Sequence, residues 1–139
     1  MSDILAGINI RTVITGMAKD IELAKEIVSM SKTKPVVLAG KTNIMELAAL
    51  IKRCSVFVTP DSSPMHISAA MKTPFLAFFG PTSSSRHMPP AKSCRVFEKD
   101  LECAPCYSSG CRIMTHVCMR GITPEEVAEK IQELMEEKR

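Results

Sequence analysis

Two rhythms of apolar residues alternate along the chain. Ile10–Thr15 (IRTVIT), Pro35–Ala39 (PVVLA), Ser55–Thr59 (SVFVT) and Pro74–Phe79 (PFLAFF) are short runs rich in Val, Ile and Phe, and each predicts a strand. Cys94–Phe97 predicts a shorter fifth one. Between them the spacing changes to that of helices. Asp20 to Met30 places Ile21, Ala24, Ile27 and Val28 on one face, with Asp20 as the cap. Asn43 and Glu46 form a capping-box pattern that opens a helix through Ile51. Ser63 as cap and Pro64 at the first helical position open another, to about Met71. Thr123-Pro124-Glu125-Glu126 opens a last amphipathic helix that buries Val127, Ile131 and Leu134.

Strands that alternate with helices of this length predict an α/β fold, a Rossmann-like parallel sheet with helices on both faces. PVVLA, apolar at nearly every position, reads as a strand buried on both faces. Residues 80–92 and 98–122 are rich in Pro, Ser, Gly and Cys and read as irregular, with Ser83-Ser84-Ser85 marking a loop. In open parallel sheets ligands bind beyond the carboxyl ends of the strands. The polar residues that follow Thr15, Ala39, Thr59 and Phe79 are therefore the ones to weigh.

With 139 residues the chain predicts a single lobe over 1–139. An apolar fraction of 45% and a charged fraction of 24% exclude a disordered or fibrous chain. No apolar run approaches the roughly 20 residues of a membrane helix, and no basic segment precedes an apolar stretch at the start, so a cytoplasmic location is expected. The net charge is +3, with six acids and three bases in the last fifteen residues, which leaves +6 on residues 1–124. That balance suits a phosphate-bearing small molecule better than a nucleic acid. Trp is absent and aromatics are 4%, so no platform for stacking bases exists.

VTPDSSPMHISAA (Val58–Ala70) is the most informative stretch. It leaves a strand, sets Asp61 at the strand's end and enters a helix through Ser62, Ser63 and Pro64. A helix N-terminus offers N–H groups and the positive end of a dipole to a diphosphate. Ser62 and Ser63 add hydroxyls, Asp61 can accept hydrogen bonds from a sugar, and His66 lies on the first turn. The same pattern also fits a plain capped helix with a solvated histidine. Phe79-Gly80-Pro81-Thr82 and Gly40-Lys41-Thr42-Asn43 are two further strand exits. Neither a Walker pattern nor GxGxxG occurs.

Of six cysteines, Cys54 and Cys94 fall beside apolar runs and read as packing residues. Cys103-x2-Cys106-x4-Cys111-x6-Cys118 is different, with one close pair and two looser members. Free loop thiols, disulfides and a four-thiolate zinc site, in which His116 could replace one thiolate, all fit this spacing.

LAGKTNIMELAALI (Leu38–Ile51), VTPDSSPMHISAA and FFGPTSSS (Phe78–Ser85), followed by Cys103-Ala-Pro-Cys106 and Cys118-Met119, together resemble the C-terminal lobe of the family-nine glycosyltransferases. These are the bacterial ADP-heptose:lipopolysaccharide heptosyltransferases, with a two-lobed, GT-B type fold. The family usually has Gly where this chain has Ser63. The resemblance implies a lobe that binds a nucleotide-diphospho-sugar donor. Asp61 would meet the sugar hydroxyls, Ser62, Ser63 and His66 would surround the diphosphate, and Thr42 would lie near the nucleoside. Gly16 to Asp20 would line the base or ribose end, and Gly80 would shape the pocket. It implies a glycolipid acceptor, a catalytic base on an N-terminal lobe outside this chain, no cofactor for transfer, and peripheral membrane contact only for the full-length enzyme. It implies too that the first strand of this lobe is absent. In a 3-2-1-4-5-6 sheet that strand is central, so the others must close the gap or leave an unpaired edge. Two other readings compete, a Cys-rich metal-binding or interaction module on an α/β scaffold and a stand-alone nucleotide-binding protein.

Overall fold

The computed structural model describes residues 2–7 and 10–137, without the side chains of residues 2, 5 and 6. Its contacts group into two compact units, one ending at Leu47 and the other beginning at Ala48.

In the first unit, helix α1 (Ser2–Gly7) precedes strand β1 (Val13–Ile14), a single 3-10 turn (Ala18–Asp20), helix α2 (Ile21–Met30) and strand β2 (Val36–Val37). Helix α3 (Ile44–Arg53) begins here and ends in the second unit. α1 has no counterpart in the strand-and-helix pattern above. The Asp3 carboxylate ties it down, accepting the N–H of Lys32 (3.2 Å), the N–H of Thr33 (3.0 Å) and the Thr33 hydroxyl (2.8 Å). β1 and β2 are parallel over two residue pairs, Val13 with Val36 and Ile14 with Val37. The expected burial of β2 on both faces fails, since Val36 is 57% exposed. Among the described residues β2 is two residues long and pairs with β1 alone.

α3 opens as its capping box requires. Asn43 Oδ1 accepts the N–H of Met45 (2.9 Å) and of Glu46 (3.0 Å), and Glu46 Oε2 accepts the N–H of Asn43 (2.8 Å).

The second unit holds the larger core. Strands β3 (Phe57–Pro60), β4 (Phe75–Phe79) and β5 (Cys94–Glu98) form a parallel sheet in that order, with Phe57 opposite Phe75 and Phe75 opposite Cys94. β4 is central, and Phe75, Leu76, Ala77 and Phe79 are all fully buried. Burial at odd and even positions alike means that both faces are covered. Helix α4 (Ser63–Ala70) supplies Met65 to a cluster with Phe75, Ala77 and Phe79. Helix α7 (Pro124–Glu136) packs on β4 and β5 and buries Val127, Ala128, Ile131 and Leu134. Arg95 of β5 forms ion pairs with Glu133 of α7 (3.4 Å) and with Glu137, the residue that caps its C-terminus.

Among the described residues β1 pairs only with β2, and β3 only with β4. Two irregular regions contain more order than their composition suggests. Ser84–His87 is a short helix, α5, because Glu98 receives the N–H of Ser84 (3.2 Å) together with its hydroxyl and holds the turn. Val117–Arg120 is another, α6, following His116 in the left-handed region (φ 51°).

α7 starts on a complete capping box. Thr123 Oγ1 accepts the N–H of Glu126 (3.2 Å), while Glu126 Oε2 accepts the N–H of Thr123 (2.8 Å) and its hydroxyl (3.0 Å). Thr123→Ala removes both side-chain bonds, and a loss of about 1 kcal/mol in unfolding free energy is expected. Urea denaturation of the two proteins measures it, and an unchanged midpoint would show that the box contributes nothing.

Candidate functional site

The loops at the carboxyl ends of β3 and β4 carry the polar residues of the second unit. β3 ends at Pro60, and the N–H of Asp61 still bonds to Phe78 O (3.1 Å), so the ladder with β4 fixes the backbone at Asp61. Its side chain is only 16% exposed and faces His87 of α5, with Nδ1 3.5 Å from Oδ2. Ser62, rather than Ser63, is the N-cap of α4, and Pro64 takes the second helical position. The reason is local. Ser62 Oγ turns back to Thr59 Oγ1 (3.1 Å) and Pro60 O (3.2 Å), so it braces the turn instead of capping forward. Ser63 and His66 are exposed on the first turn of α4.

β4 leads into Gly80, which is buried. A Cβ built there would stand 2.8 Å from Met119 Sδ and 3.2 Å from Cys118 Sγ. Gly80 therefore shapes the turn by what it lacks. Pro81 O accepts the N–H of Tyr107 (2.7 Å). The Tyr107 ring lies 6.0 Å from the His87 ring, and the Arg86 guanidinium stands 5.7 Å from the Tyr107 ring centroid. The sheet edge thus gathers Asp61, Ser62, Arg86, His87 and Tyr107.

Arg86, His87 and Tyr107 escape a reading of the sequence because the serine run ahead of the first two looks like loop. Short as it is, Ser-Ser-Ser-Arg-His followed by Glu98 at the end of the next strand is the one available signal. It places a carboxylate where it can hold the first turn of a helix.

Gly16, Asp20 and Thr42 belong to the first unit, at the carboxyl ends of its own strands. Asp20 does not cap α2 through its side chain. Its Oδ2 turns back to the N–H of Met17 (2.8 Å). A Cβ on Gly16 would come within 3.1 Å of that same Oδ2, so Gly16 makes room for the contact. Gly40 accepts a positive φ of 70° in the turn that precedes Thr42, and its N–H bonds to Gly16 O (2.9 Å).

Cys94, Cys103, Cys106, Cys111 and Cys118 are free thiols. Burial raises the Cys94 thiol above its ordinary range, as a packing role requires. Cys103, Cys106, Cys111 and Cys118 line a cavity of about 600 Å³ beside Gly80 and Pro81. Among the described residues no three His, Cys, Asp or Glu side chains stand close enough together to hold a metal ion, so these four do not converge as a zinc site would need.

Two solved structures share this architecture over nearly the whole chain. A family 9 glycosyltransferase from Veillonella parvula superposes with a TM-score of 0.83 at 26% identity, over 98% of this chain and 39% of that one. The E. coli ADP-heptose LPS heptosyltransferase II gives 0.82 at 29% identity, over 99% and 40%. Parallel strands, flanking helices and these neighbours define an α/β lobe of the GT-B type of glycosyltransferase. The model of glycosyltransferase family 9 (heptosyltransferase) matches residues 1–116. Lipooligosaccharide heptosyltransferase 2 of Campylobacter jejuni is 37% identical over 117 residues, 81% of this chain and 37% of the relative. The chain belongs to glycosyltransferase family 9, and it spans about two-fifths of the length of the relatives it matches.

Proposed function

We propose that this chain is the donor-binding part of a heptosyltransferase of lipopolysaccharide or cell-envelope glycan synthesis, and that its ligand is a nucleotide-diphospho-sugar, ADP-heptose. The observation that carries the reading is the placement of Asp61. The β3–β4 ladder holds its backbone, His87 faces its carboxylate, and the N-terminus of α4 lies two residues on.

In this reading Asp61 accepts hydrogen bonds from the hydroxyls of the sugar. Ser62, Ser63 and His66 at the start of α4 and Arg86 and His87 on α5 surround the diphosphate. Transfer breaks the bond between the anomeric carbon and a β-phosphate oxygen, and negative charge grows on the departing diphosphate. Hydrogen-bond donors and cations already in place lower that barrier. Ser63 suits the role less well than the glycine usual in the family, since its Cβ keeps a phosphate farther from the backbone. The acceptor is a glycolipid, and the base that deprotonates it comes from outside residues 1–139. In this reading the transfer takes place in the cytoplasm. No described helix is long and apolar enough to cross a membrane.

Residues 1–139 by themselves are expected to bind ADP-heptose in the high micromolar to millimolar range, roughly −4 to −6 kcal/mol. NMR titration of labelled protein tests it. Shifts at residues 61–66 and 86–87 support the reading, whereas a response confined to residues 103–118 would reject it.

A further inference from the structure

The irregular segment between β5 and α7 supplies one side chain to the edge where Asp61 lies. Tyr107 is the only tyrosine of the chain, which has no tryptophan. Its backbone adopts the left-handed region (φ 51°), where an aromatic residue is strained, and its N–H bonds to Pro81 O (2.7 Å) in the turn after β4. The residue is 47% exposed, so its ring is not core filler. The ring stands against α5, 6.0 Å from the ring of His87 and 5.7 Å from the guanidinium carbon of Arg86. The second distance is within the reach of cation–π attraction. Among the described residues no carboxylate comes within ion-pair distance of Arg86. An exposed arginine on a four-residue helix otherwise samples many rotamers and loses them when it meets a phosphate. A carboxylate would hold it too, but would cancel its charge and repel a diphosphate. A neutral ring holds the guanidinium and leaves its charge and N–H groups to a phosphate.

We propose that Tyr107 is a positioning residue of the donor site, whose ring holds the Arg86 guanidinium ready for the diphosphate. The inference rests on the donor reading, which sets Arg86 beside that group. Tyr107 acts through Arg86 and not by touching the donor. A cation arranged in advance loses less entropy on binding, so the ring raises affinity without a contact of its own. The gain goes to the diphosphate, which ADP and ADP-heptose share, in contrast with Asp61, whose partner is the sugar. The segment after β5 thereby gains a task. The bond from Tyr107 to Pro81 O ties it to the turn after β4, and the ring carries that anchor across to α5.

NMR titration of the full chain with ADP and with ADP-heptose tests this. Tyr107→Leu keeps an apolar side chain on the same backbone but has no π face, and both ligands should bind it about three- to ten-fold more weakly. Tyr107→Phe keeps the ring without the hydroxyl and should bind both within about two-fold of the unaltered chain. Arg86→Ala should lose at least as much as Tyr107→Leu, and combining the two should cost nothing further. With one tyrosine in the chain, ring-labelled tyrosine gives a single set of signals. Arg86→Ala should move those signals with no ligand present, a readout that does not depend on the stability of Tyr107→Leu. Losses that multiply in the double variant, or ring signals indifferent to Arg86→Ala, would overturn the proposal. So would a Phe variant as weak as the Leu variant, or a loss confined to ADP-heptose. If the unaltered chain binds neither nucleotide, the donor reading falls and this inference with it. If it binds both and Tyr107→Leu binds them equally well, only the role of Tyr107 falls.

Discussion

Asp61→Ala is expected to weaken ADP-heptose binding by about 10- to 100-fold and to leave ADP binding unchanged or slightly tighter. In the proposed donor reading the first effect follows from losing a carboxylate that would accept hydrogen bonds from sugar hydroxyls, since bonds to a charged group contribute about 1.5–3 kcal/mol. The second follows from position. In the same reading Asp61 would repel the diphosphate, and its removal would leave His87 without its carboxylate partner and so available to a phosphate oxygen. Calorimetry with the sugar-bearing and the bare nucleotide separates the two. Equal losses for both ligands would sink the sugar contact and leave Asp61 as part of the turn that starts α4.

The largest loss of stability is expected from Phe75→Ala. Phe75 is fully buried at the centre of the β3–β4–β5 sheet, in the cluster with Met65, Ala77 and Phe79. Truncating a buried phenylalanine costs about 3–5 kcal/mol, the sum of lost transfer energy and the cavity left behind. That is a large share of the roughly 5–15 kcal/mol that stabilises a typical domain. Val36→Ala, at the 57% exposed position of β2, should stay within about 0.5 kcal/mol. Urea midpoints of the two variants give the comparison, and similar shifts would mean that the core does not lie where the burial puts it.

The contrast between Phe75 and Val36 also explains what could be read from the sequence. PFLAFF and PVVLA look alike as strings, and both form strands. Only the first is flanked by ladder partners on both sides, and neither string carries that information. The elements that were legible are those with local causes. The capping boxes at Asn43 and Thr123 and the proline after Ser63 need nothing from distant residues. α5 was not legible, because the group that holds Ser84 is Glu98, fourteen positions away. The site divides in the same way. Asp61 and Ser62 stand out because strand, turn and helix follow one another in a single segment. His87 and Tyr107 reach the same edge only through tertiary contacts, and no spacing announces them.

Gly80 has a bearing on how such a chain can diverge. Even the smallest side chain at this position would collide with Met119 Sδ at 2.8 Å and press on Cys118 Sγ at 3.2 Å, nearly forty residues later. The sulfur that stands in the way is the far end of a flexible, partly exposed side chain, so an alanine at 80 is accommodated when Met119 changes rotamer and Cys118 gives by a few tenths of an ångström. The turn after β4 and the Cys118-Met119 pair are thus coupled softly: a change at 80 is felt at 119 as a shift of side chain, and a branched residue at 80 is felt more than alanine.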